Sequence, residues 1–141
     1  MTLILDAAPL VAADDARDPQ RSVVRRLITE EPDDLVIPAP VSAEVDYLLG
    51  QRLGRRARLA FLSDLAAGRF QVICLDAADY QLVMQYEERY ADLDVGLADL
   101  SVVALAHRFG TNRIMTFDQR HFRALGPPGG GAFTLHPADA A

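Results

Sequence analysis

The chain has 141 residues, is half hydrophobic and carries a formal net charge of −6 at pH 7. That length and composition read as one domain over residues 1–141, large enough to bury about two thirds of its unfolded surface without a metal to hold its core. All 14 basic residues are Arg, a usage that a GC-rich genome also produces, so the bulk field does not advertise nucleic-acid binding.

Leu3 to Leu5 reads as a short buried strand ended by Asp6, and the Ala-rich stretch after it as the beginning of helix. Asp6 also interrupts an apolar N-terminus that has no basic segment, which argues against a signal peptide. No stretch approaches the roughly 20 apolar residues of a membrane span, so a cytoplasmic setting is expected. Helix continues from Ser22 to Ile28 and is ended by Pro32, Asp33 and Asp34; Leu35 to Ile37 is a second strand, closed by Pro38 and Pro40. Val41, Val45, Leu48 and Leu49 have helical spacing within Val41–Leu53, with Gly54 as the stop, and another helix runs from Arg55 to Ala67 before Gly68.

Phe70 to Leu75 is a third strand, and Cys74 within it, with no partner for an intrachain disulfide, is expected to be a small buried hydrophobe. Asp76 suits the N-cap of a helix reaching about Tyr90. Leu97 to Phe109 is apolar almost all round, which predicts a helix buried inside the domain, stopped by Gly110. Arg113 to Phe117 is a fourth strand, His121 and Phe122 fall in a short turn or helix, Gly126 to Gly131 is a flexible connection, and Phe133 to Leu135 adds a small edge strand.

Strands alternating with helices predict an α/β architecture with right-handed crossovers and a mainly parallel sheet covered on both faces. Ligands in such sheets bind beyond the carboxyl ends of the strands. Asp6 and Asp118 directly follow the first and fourth strands, and Glu44 and Asp99 lie in the first turns of helices that begin near the same edge. Asp6, Glu44 and Asp99 have no Lys, Arg or His within four residues on either side. A carboxylate in an apolar setting must be neutralised, hydrogen-bonded or shared with a cation, so four gathered at one edge call for a metal.

Each acid has a structural alternative: Asp6 and Asp118 as N-caps, Glu44 and Asp99 as first-turn acids favoured by the helix dipole. Asp46 points about 160° away from Glu44 on a helix and reads as surface. Asp92 and Asp94 precede the buried helix, and Asp94 competes with Asp99 as a ligand or serves as a cap. Thr116, two residues before Asp118, shares its strand face, where a hydroxyl can hold a ligand or water. His107, His121 and His136 have no ligand spacing, which argues against zinc. Arg52, Arg55, Arg56 and Arg58, together with Arg113, Arg120 and Arg123, read either as solvated surface or as grips for phosphate.

The ordered set of Asp6 after a strand, Glu44 in SAEVDYLL, Asp99 in LADLSVVALAHRFG and Asp118 in IMTFDQRHF resembles the PIN-domain ribonucleases, specifically the VapC-type toxins of toxin-antitoxin pairs. The resemblance implies a three-layer α/β/α PIN-like domain with Mg²⁺- or Mn²⁺-dependent endoribonuclease activity, forming a homodimer that a small VapB-like antitoxin inhibits. The family often has Ser or Thr two residues after its first Asp, where this chain has Ala8.

All-carboxylate donors suit hard cations. Asp6, Asp99 and Asp118 are then expected as metal ligands, Glu44 as a ligand or as the group orienting the attacking water, Thr116 as support, and Arg52, Arg55, Arg56 and Arg120 as RNA contacts. The alternative is a catalytically inert PIN-like module that binds RNA or a protein partner. An aspartyl-phosphate receiver would ordinarily place a Lys near the phosphate, and this chain has none. No nucleotide-binding glycine motif occurs.

Overall fold

The computed structural model describes residues 1–31 and 34–139. In chain order the elements are β1 (Leu3–Leu5), α1 (Ala7–Ala13), α2 (Arg21–Glu30), β2 (Leu35–Pro38), α3 (Ala39–Arg52), α4 (Arg55–Ala66) and β3 (Gln71–Ile73). There follow α5 (Ala77–Arg89), a 3₁₀ turn (Ala91–Leu93), α6 (Leu97–Arg108), β4 (Arg113–Met115), α7 (Gln119–Leu125) and β5 (Thr134–His136). The strands form one sheet in the order β3-β2-β1-β4-β5, and every pairing is parallel.

Right-handed crossovers carry the chain from β1 through β2 to β3 in one direction and from β4 to β5 in the other, which puts helices on both faces. The three-layer α/β/α arrangement expected from the alternation is therefore present. Its central strands are buried on both faces: Leu3, Ile4, Leu5 and Ile37 have no exposed surface. The strand order reverses between β1 and β4, so the crevice at the switch point opens beyond Leu5 and Met115.

Helix α6 supplies much of the core. Every residue from Leu100 to Ala106 is buried, and burial of side chains such as Leu100, Val103 and Leu105 contributes about 1.5–3 kcal/mol each. Its one polar group in that stretch, the Ser101 hydroxyl, donates to the Ala98 carbonyl at 2.6 Å. A helix packed this tightly holds its first turn, and hence Asp99, in a fixed place.

Several boundaries differ from the sequence reading. Helix α3 starts at Ala39, because Pro40 falls in its first turn, where a missing N–H costs nothing. Helix α2 ends at Glu30, with the Glu31 amide on the Ile28 carbonyl; Pro32 and Asp33, taken as its stop, lie outside the described residues. Strand β4 ends at Met115 rather than Phe117, and α7 is a full helix where a turn or helix was expected. Cys74 is exposed, not buried. It follows the short edge strand β3, which has a neighbour on one side only, and Val72 in that strand is likewise exposed. No helix among the described residues is long and apolar enough to cross a membrane.

Candidate active site

Asp6 is the first residue beyond β1, and its amide donates to the Met115 carbonyl at 2.9 Å, which fixes it against the end of β4. Its backbone occupies the N-cap position of α1, yet its side chain makes no capping bond. The carboxylate instead accepts the Thr116 hydroxyl on Oδ2 at 2.7 Å, with both residues buried. Thr116 Oγ1 in turn accepts the amide of Asp118 at 3.0 Å. One hydroxyl thus ties two acids together, and it does so from a turn just past β4 rather than from a strand face.

Asp118 is a true cap: Oδ1 accepts the His121 amide at 3.0 Å, and Oδ2 lies 2.7 Å from His121 Nδ1. The three-residue interval in DQRH places that imidazole beside the acid because α7 starts at Gln119. The spacing of the histidines among themselves gives no sign of this partnership; its signal is the interval from His121 back to Asp118.

The other two acids come from helices. Asp99 lies in the first turn of α6, as expected. Glu44 does not lie in a first turn, since α3 begins at Ala39, so the helix dipole does not account for it.

The charges of Asp6, Glu44 and Asp118 all reach Asp99. Burial, followed by the charges of Asp6, Glu44 and Asp118, pushes the Asp99 pKa up to about 6, against a smaller lowering effect of His121. Burial also raises Asp6, opposed by the Thr116 hydroxyl and the Ala7 amide and reinforced by the charge of Asp118. Glu44 is exposed as a residue, and partial desolvation of its carboxyl, followed by the Asp6 charge, raises its pKa. Among the described residues, Asp6, Glu44 and Asp99 form no ion pair.

Asp46 stands apart from this group, held by Arg58 at 3.1 Å. Asp92 and Asp94 are exposed at the 3₁₀ turn, with Asp94 in a left-handed conformation at φ 51°. The charges acting on Asp99 are those of the other three acids and of His121, which favours Asp99 over Asp94.

The donor set is all oxygen and mutually repulsive, the chemistry that a hard divalent cation relieves. Among the described residues, no three His, Cys, Asp or Glu side chains are set closely enough to hold an ion as they stand. Any such ion would therefore keep much of its water, as Mg²⁺ does.

The arginines divide. Arg113 and Arg123 are committed to Glu31 at 2.6 Å and Asp139 at 2.7 Å. Arg52 and Arg56 line a cleft of about 650 Å³ with Arg17, Arg55 lines a separate one of about 450 Å³, and Arg120 is exposed two residues past Asp118.

Residues 3–126 match the PIN domain family. The chain belongs to the PIN-domain family. As a PIN domain it is 40% identical over 135 residues to Ribonuclease VapC26 of Mycobacterium tuberculosis, a match covering 96% of this chain and 100% of that protein. Its fold is that of Mycobacterium tuberculosis VapC20, described as a Sarcin-Ricin loop cleaving toxin, with a TM-score of 0.77 at 20% identity over 84% of this chain and 92% of that one. The DNA-bound VapBC from Salmonella typhimurium is similar at a TM-score of 0.68 and 18% identity, over 86% and 90% of the two chains. The resemblance read from the ordered acids and TFDQRHF therefore found the right family. In this PIN domain Ala8 is exposed on α1, and the hydroxyl that reaches Asp6 comes from Thr116.

Proposed function

We propose that the chain is a metal-dependent endoribonuclease, the toxin of a toxin-antitoxin pair, working in the cytoplasm as a homodimer restrained by a small VapB-like antitoxin. The observation that carries the reading is the position of Asp99, pushed up to about 6 by burial and by three other acids from separate elements. The 40% identical relative bearing the name ribonuclease supports the activity. Structural neighbours that are VapBC assemblies support the partner.

In this reading Asp6, Asp99 and Asp118 hold Mg²⁺ or Mn²⁺, partly through retained water. The ion, when bound, offsets charge on the scissile phosphate and lowers the pKa of water. Thr116 fixes the Asp6 carboxylate, and His121 fixes Asp118. Glu44, exposed and with a raised pKa, orients the attacking water and takes its proton; the water oxygen bonds to phosphorus as the P–O bond to the leaving ribose oxygen breaks, and that oxygen takes a proton from solvent. Exposed Arg52, Arg55, Arg56 and Arg120 supply cations for the RNA backbone.

The test is cutting of total RNA by purified protein with Mg²⁺ or Mn²⁺, with EDTA, and by Asp6→Asn and Asp99→Asn. Cutting should require the ion and disappear in both variants while circular dichroism stays native. Activity that survives EDTA, or persists in both variants, would reject the assignment. Tight RNA binding without turnover would instead reveal the inert module.

A further inference from the structure

Tyr47, the tyrosine of α3, has 61% of its surface exposed and lies one turn from Glu44. Glu44, Tyr47 and Gln51 recur at i, i+3 and i+7, so they form one stripe on the side of α3 opposite its buried Val41, Val45 and Leu49. The stripe starts at the acid crevice and runs away from it, with Tyr47 about 4.5 Å further along the axis than Glu44.

Beside Tyr47 is the cleft of about 450 Å³, completed by Asp46, Gly50, Gln51, Arg55 and Arg58. Its wall is built. Arg58 crosses from α4 and bonds Asp46 through Nε at 3.1 Å and Nη2 at 3.2 Å. It can do so because residue 50 is glycine: a Cβ there would stand 2.5 Å from Arg58 Cδ. Asp46 is thereby neutralised, which leaves Arg55 as the cation of the cleft that forms no ion pair among the described residues.

We propose that this cleft is a nucleobase subsite for single-stranded RNA, in which the base of a nucleotide next to the scissile phosphate stacks on Tyr47 and Arg55 holds its phosphate. The inference rests on the ribonuclease reading for the position of the scissile phosphate. An aromatic face beside an unpaired cation is the pairing that single-strand binders use, with the ring taking the base and the charge taking the backbone. The lining favours RNA over a protein contact: Tyr47 is the cleft's one large apolar side chain, set among Asp46, Gln51, Arg55 and Arg58, whereas the core of a protein interface is mainly apolar and depleted in Asp. The neighbouring cleft at Arg17, Arg52 and Arg56 carries Asp14 and Asp15 and no aromatic ring, so it can take phosphate but not stack a base. Stacking tolerates any base, so the subsite sets reach and affinity more than sequence.

The experiment uses the full chain and a random single-stranded oligoribonucleotide carrying 5-iodouridine. In EDTA, ultraviolet cross-linking followed by peptide mass spectrometry should place the adduct on Tyr47. In steady-state cutting with Mn²⁺, Tyr47→Ala should raise KM roughly 10-fold, with the loss falling on KM rather than kcat, and Tyr47→Phe should recover most of it. Arg55→Gln should weaken binding and reduce the salt slope by about one. Unchanged KM and cross-linking in Tyr47→Ala would overturn the subsite. So would a shift of that variant's oligomeric state in sedimentation velocity, which would assign the ring to a protein contact. If the wild type binds but never cuts, the ribonuclease reading fails by itself, and the cross-link site alone then supports or overturns the subsite.

Discussion

Asp79 at the start of α5 and Asp6 at the start of α1 are equally buried, each with 5% of its surface exposed, but they meet opposite neighbours. Arg108, at the end of α6, donates to Asp79 at 2.9 Å and to Asp76 at 3.0 Å, and its other nitrogen holds the Cys74 carbonyl at 3.2 Å. Asp76 and Asp79 also exchange bonds with each other's amides at 2.9 Å in a capping box. The Asp79 amide, and then Arg108, hold the Asp76 carboxyl below the usual carboxylate range. Asp6 has one hydroxyl and three acids for company, and its pKa moves up. Burial alone therefore does not mark a functional acid. What separates the two places is whether the fold has supplied a cation.

The largest effect should come from exchanging Asp for Asn on the two sides. Asp99→Asn should lower RNA cutting by more than about 100-fold while leaving the melting temperature unchanged or raised, because it removes a repulsive charge. Asp79→Asn should leave cutting intact and cost about 2–3 kcal/mol, less than the 3–5 of a fully buried pair because Arg108 is partly in water. Urea denaturation and RNA cleavage on the same preparations check both. Equal destabilisation by the two changes would break the contrast.

A smaller effect should appear with pH. Asp99 has a folded pKa of about 6 against an ordinary 3.8, so between those values the native state keeps a proton that the unfolded chain has released. Its contribution to stability therefore falls as pH rises through that window. Burial and neighbouring acids push Asp6 and Glu44 the same way. Asp76 has the opposite sign: its contribution is present above the ordinary carboxylate value and is lost as pH falls through its lowered one. Melts in EDTA from about pH 4 to about pH 7 should show Asp99→Asn gaining on wild type by a few degrees and then levelling off. Added Mn²⁺ should close the gap at the upper end. A gap that does not vary with pH would show that the Asp99 pKa is not raised.

The smallest effect concerns the hydroxyl. Thr116→Val removes the donor to Asp6 and the acceptor for the Asp118 amide. It should cut the rate roughly 10-fold and stability by about 1 kcal/mol, and Thr116→Ser should restore both. A full-rate valine variant would mean that Asp6 does not need to be held.

The architecture was legible because it follows from short-range patterns, and the same topology is what brings Asp6 and Asp118 to one edge of the sheet. Leu3–Leu5 and Leu35–Ile37 are apolar without alternation, as strands buried on both faces must be, and Asp6 stands directly after the first of them. Cys74 misled because FQVICL has the same apolar look as a central strand, whereas an edge position depends on strand order, which no local pattern contains. The clasp of His121 on Asp118 and the cleft at Tyr47 were missed for a related reason. The first needed the start of α7, and the second needed Arg58 to fold back across Gly50 from a different helix.

The bond from Thr116 to Asp6 joins residues 110 positions apart. A chain still being synthesised therefore holds Asp6 and Glu44 well before the segment that clamps the first of them has been added. Assembly of the crevice waits on the insertion of β4 beside β1, one of the last events that the topology allows, so a truncated or stalled polypeptide carries most of the acids and none of their organisation.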